Sequence, residues 1–82
     1  MFDDEDEEYF EGNLSEDLER FEAHLKGESI GFLDSDRLEA LIDHYLINSQ
    51  YTKAKTCADH AISQFSYNPL FHLRKAQAIS AI

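Results

Sequence analysis

The 82-residue chain is expected to be all-α, an antiparallel helix-turn-helix array of about four helices. Three observations predict this. Leu38, Leu41, Ile42, Tyr45 and Leu46 recur at spacings of three and four, the period of one broad apolar stripe on a helix. After the polar elbow Asn48-Ser49-Gln50, residues Ala54, Cys57, Ala58, Ala61, Ile62 and Phe65 repeat that period. Most of these are small, so their helix can approach its bulkier neighbour at the short end of the usual roughly 8 to 10 Å interaxial range. Segments 36–47 and 52–65 therefore make a helical hairpin. Phe71, Leu73, Ala76, Ile79 and Ile82 then continue at helical spacings, predicting one further helix.

Taken in order, residues 1–12 contain the acidic run 3–8 followed by Tyr9 and Phe10. A block of like charge cannot bury enough apolar surface to offset its ordering entropy, which predicts a solvated, disordered tail. The other reading is that acids interleaved with Phe2, Tyr9 and Phe10 fold onto a basic, apolar groove, in this molecule or another. A calcium loop is excluded, because that motif alternates acids with spacers around a central glycine. Residues 13–33 form a capping helix and connector. Asn13 or Ser15 can accept from free backbone N–H groups and Glu16 can reciprocate. Leu14, Leu18, Phe21 and Leu25 then make a narrow stripe, and Gly27 offers a left-handed helix end, so a helix is predicted over 14–26. In the connector, Ile30, Phe32 and Leu33 are expected to staple the helix ends, with Asp34 or Ser35 capping the hairpin that occupies 34–68. Ser66-Tyr67-Asn68-Pro69 ends one helix and starts the next, proline being tolerated in a first turn. The last segment, 69–82, is read as a helix over 70–82.

These residues resemble the tetratricopeptide (TPR) repeat, a helix-turn-helix unit of about 34 residues. Leu38 stands where that family usually has tryptophan, Leu41 at its leucine, Tyr45 at its tyrosine, Tyr51 at the aromatic opening the second helix, and Ala54 and Ala61 at its two alanines. Ile42 departs from the pattern, which has a small residue there, and Ser66 replaces its proline, with Pro69 three residues later. One repeat length on from Leu38 and Ile42 come His72 and Ala76, so the small residue returns, although His72 and Lys75 stand at usually apolar positions. The resemblance covers roughly 34–82. It implies one complete repeat, the first helix of another, an atypical leading cap over 13–26, and a chain that is the N-terminal piece of a longer solenoid.

The charge is −10 and unevenly placed. Residues 1–48 hold sixteen acids against Arg20, Lys26 and Arg37, while residues 49–82 hold only Asp59 against Lys53, Lys55, Arg74 and Lys75. Four bases on such a chain do not make the basic face that nucleic acid needs. No apolar run approaches the roughly 20 residues of a membrane span, and the acidic start is unlike a secretory signal, so no membrane partner and a cytoplasmic location are expected. Cys57 is the single cysteine, which excludes an intrachain disulfide and is expected to pack as a small side chain.

No residue pattern points to catalysis, and no cofactor or metal site is expected. His24, His44, His60 and His72 are scattered. Cys57 and His60 are two ligands where a structural zinc takes four, and they lack an oxyanion loop for a cysteine nucleophile. The three glycines are isolated, so no phosphate loop exists. Binding remains. The resemblance implies that first helices line a concave groove for a protein or peptide partner, with Asp36, Glu39, Asp43, Leu46 and Ile47 on one helix and Leu70, Leu73, Gln77, Ser80 and Ala81 on the next. Chaperone-binding members of the family hold a terminal carboxylate with lysine and asparagine where this chain has Glu39 and Asp43. Carboxylates there repel such a ligand and favour a basic or amphipathic peptide. The expected function is thus a protein-protein interaction scaffold. The alternative is a small helical dimerisation or regulatory module acting through its acidic tail. In either case the open apolar side of the 70–82 helix predicts a homodimer for the isolated chain.

Overall fold

The computed structural model describes the backbone of residues 2–82 and the side chains of residues 14–82. It is all-helical, with four helices in the order α1 (Phe2–Leu25), α2 (Ser35–Ile47), α3 (Tyr51–Gln64) and α4 (Pro69–Ala81), and no strand among the described residues. No helix among those residues is long and apolar enough to cross a membrane. The chain divides into two units, Met1–Phe32 and Leu33–Ile82.

The first unit is α1 and the start of the connector. Its helix begins at Phe2, ahead of the Leu14 start expected from the cap signals, and takes in residues 2–12 that the sequence presents as a solvated tail. Asn13 and Ser15 therefore lie within the helix rather than at its cap. A lone Gly12 costs a helix only about 1 kcal/mol. The proposed docking role of Phe2, Tyr9 and Phe10 concerns side chains outside the described residues. The C-terminus follows the expectation closely. Gly27, at φ +107°, donates to His24 O at 2.9 Å, and Glu28 N–H donates to Ala23 O at 3.1 Å, the paired bonds of a glycine-terminated helix. The connector then turns at Gly31, φ +77°, and Arg20 Nη2 donates to Ile30 O at 2.8 Å. A Cβ at Gly31 would lie 3.3 Å from Arg20 Nη2. Arg20 Nη1 also stands 3.7 Å from Asp17 Oδ1. The three-residue staple is corrected: Ile30 and Leu33 are buried, but Phe32 is 69% exposed.

The second unit contains α2, α3 and α4. Asp34 caps α2, its Oδ1 accepting from Arg37 N–H at 2.9 Å. Leu38, Leu41, Ile42 and Tyr45 are buried on one face of α2, and Ala54, Cys57, Ala58 and Ala61 on α3. The small-residue side of α3 thus meets the bulky side of α2. The elbow closes with Ser49 N–H on Leu46 O at 3.2 Å and Gln50 N–H on Tyr45 O at 2.8 Å. Ser49 itself adopts φ +61°. Asn68 caps α4 by accepting from Leu70 N–H at 3.0 Å, with Pro69 in the first turn. α3 is the middle element, packed against both α2 and α4, while α2 and α4 touch along a shorter line. Across the second turn Phe65 and Phe71 meet with ring centroids 6.2 Å apart.

The apolar side of α4 stays largely open, as the sequence predicts. On α4 only Phe71 and Ala78 are buried, whereas Leu73, Ala76, Ile79 and Ile82 are exposed. The arc of α4 that meets its neighbours is centred between Phe71 and Ala78, so most of the apolar series points away from the hairpin. Ile62 is likewise only half-buried.

Candidate functional site

The candidate site is built on α2 and α4. Burial of Leu38, Leu41, Ile42 and Tyr45 turns the opposite face of α2 outward. There Asp36 is exposed, Glu39, Asp43 and Leu46 are half-exposed, and Ile47 is 81% exposed. On α4, Gln77 is exposed and Leu73 is 52% exposed. Asp36 and Ile47 are eleven residues apart, about 16 Å along a helix at 1.5 Å per residue, so these residues form a strip and not a point-like pocket.

The structure joins two of the predicted residues through a third that sequence reasoning missed. Arg74 Nε donates to Asp43 Oδ1 at 2.8 Å, and Arg74 Nη1 donates to Gln77 Oε1 at 3.2 Å. The Arg74 side chain is 22% exposed. Asp43 is therefore already neutralised in part by α4, and the acidity open to a ligand is concentrated at Asp36 and Glu39. A signal existed in the sequence: Asp43 and Arg74 are 31 residues apart, close to one helix-turn-helix length, and of opposite charge.

A second cross-helix pair lies on α3. Asp59 Oδ1 accepts from Lys75 Nζ at 2.8 Å, and its Oδ2 accepts from Lys55 Nζ at 3.2 Å. The Lys75 hydrogen bond, more than the one from Lys55, holds the Asp59 carboxyl below its ordinary value of 3.8 against the opposing effect of partial burial. Both bases of α4, Arg74 and Lys75, are thus engaged by acids of the neighbouring helices.

Cys57 is fully buried, and desolvation pushes its thiol up to about 12. Such a sulfur is protonated at neutral pH and a poor nucleophile. Among the described residues no three His, Cys, Asp or Glu side chains converge as metal ligands would. Comparisons with protein-family models, with curated proteins and with solved structures find no match.

Proposed function

We propose that the Leu33–Ile82 unit is a TPR-like interaction module whose α2 and α4 faces hold a basic or amphipathic peptide. The observation that carries this reading is the outward placement of Asp36 and Glu39 on the helix that also exposes Ile47, with Leu73 exposed on α4. Carboxylates next to apolar surface suit a segment that alternates Lys or Arg with apolar residues. The Arg74–Asp43 bond supports it further by tying the two helices that would form the wall. Asp36 and Glu39 read the ligand's cations, while Asp43 serves the scaffold. The role is binding and not catalysis, in keeping with the buried, protonated Cys57, and we place the protein in the cytoplasm.

The test is titration of a fluorescent Lys/Leu-rich amphipathic peptide. Reversing Asp36 and Glu39 together to lysine is expected to weaken binding about tenfold, from roughly 0.7 kcal/mol for each surface charge. Unchanged affinity in that double variant overturns the reading.

A second reading, a regulatory module acting through acidic residues 3–11, is favoured by charge placement. Residues 1–32 hold twelve acids against Arg20 and Lys26, and residues 33–82 hold five acids against five bases, so the whole net charge lies in the first unit. Deleting residues 1–12 discriminates: peptide affinity is retained under the first reading and lost under the second.

A further inference from the structure

We infer that the outward face of α4 is a self-association surface, its occupant a second copy of this chain. The exposed residues of α4 from His72 on are His72, Leu73, Ala76, Gln77, Ile79, Ser80 and Ala81, and none carries a formal charge with histidine neutral. Leu73 is 52% and Ile79 48% exposed. A solvated helix normally keeps its charges outward and its apolar residues inward. Here the arrangement is reversed at the flanks, because Arg74 turns to Asp43 and Lys75 to Asp59.

Leu73, Ala76, Ile79 and Ser80 fall within about 120° of the helix circumference at 3.6 residues per turn. The order of sizes along this strip is self-complementary. In an antiparallel pairing about a two-fold axis at Ala76, each Leu73 faces the other copy's Ile79, and the two Ala76 residues allow close backbone approach between those bulky flanks. This is the isologous form a two-fold interface requires. The charge distribution selects a second copy over a charged partner. The face presents no carboxylate, its flanking bases Arg74 and Lys75 are already paired, and residues 33–82 are neutral as a unit, so two such units meet without net repulsion. The first unit's −10 opposes approach, and salt screens that repulsion. A single helical face is smaller than a standard interface, so a weak, reversible association is expected.

The inference rests on observations other than those behind the peptide reading, although the two surfaces share Leu73, Gln77, Ser80 and Ala81. The full chain is examined by sedimentation equilibrium at low and high salt. A monomer–dimer equilibrium is expected that tightens with salt, as screening removes the repulsion between first units, whereas binding of a basic peptide weakens. Ile79→Glu is expected to weaken the dimer at least about tenfold with helical circular dichroism unchanged. The Asp36 and Glu39 reversals leave the dimer intact. Ala76→Cys is expected to oxidise to a covalent dimer, and Tyr67→Cys, at a 99% exposed side chain, to lag far behind it. A monomer at both salt concentrations, a dimer indifferent to Ile79→Glu, or equal crosslinking at positions 67 and 76 overturns the inference.

Discussion

Ser49 shows how a single residue records the demands of its position. The α2–α3 elbow needs a left-handed residue to bring Ser49 and Gln50 N–H groups onto the last carbonyls of α2, and Ser49 meets that need at φ +61°. A side chain in that conformation costs about 1 kcal/mol or more, while its hydroxyl gains only a long 3.4 Å contact with Tyr51. Ser49→Gly is therefore expected to stabilise the protein by about 0.5 to 1 kcal/mol, after the greater entropy glycine loses on folding, and thermal unfolding measures it. Cys57 makes the opposite point, since its environment and not its chemistry decides its behaviour. With the thiol buried and pushed up to about 12, it is expected to resist alkylation at pH 8 in the native protein and to react at once in denaturant; fast native labelling contradicts the packing described.

At the scale of elements, α3 works as a spacer thin enough to serve two neighbours. Ala54, Cys57, Ala58 and Ala61 are all 0% exposed, leaving no room for larger groups. Ala58→Leu is expected to destabilise by about 1 to 3 kcal/mol through overpacking, visible as a lower denaturant midpoint. The Asp59–Lys75 bond binds α3 to α4 by charge, while Lys55 holds the same carboxylate from within α3. Because the folded carboxyl titrates below its ordinary 3.8, its contribution is present above about pH 4 and fades as pH falls through the lower folded value. Asp59→Asn should therefore lose stability against wild type at pH 7, and that gap should close in strong acid. Urea midpoints across pH read the difference; a gap that widens on acidification reverses the sign of the argument. These element-scale features were unevenly legible. The Asp34 cap, the Gly27 end and the hairpin follow from local bonding, and local bonding is encoded by neighbouring residues. The Arg74–Asp43 bond depends on the offset between helices that are distant in sequence, and no periodicity within one helix reports that offset.

Over the whole molecule, charge is partitioned between units, with −10 in residues 1–32 and none in residues 33–82. Between Asp3 and Glu11 the sequence spaces seven acid pairs three or four residues apart, and in a helix each such pair repels by roughly 0.2 to 0.5 kcal/mol. Their sum exceeds the 0.3 to 1 kcal/mol typically gained from the helix dipole. Raising the salt concentration is expected to increase helical circular dichroism; a decrease would mean that the dipole interaction outweighs the repulsion.

The sequence alone determined that the chain is helical, where α2 begins, where the α2–α3 and α3–α4 turns fall, and that α3 carries the small side of a close-packed pair. Each of these depends on spacing within one segment or on a cap a few residues away. Only the tertiary structure decided that Ala78 and not Ala76 is buried on α4 and that Asp43 is held by Arg74. Periodicity establishes that a helix has an apolar arc, but the position and number of its neighbours determine which part of that arc is covered.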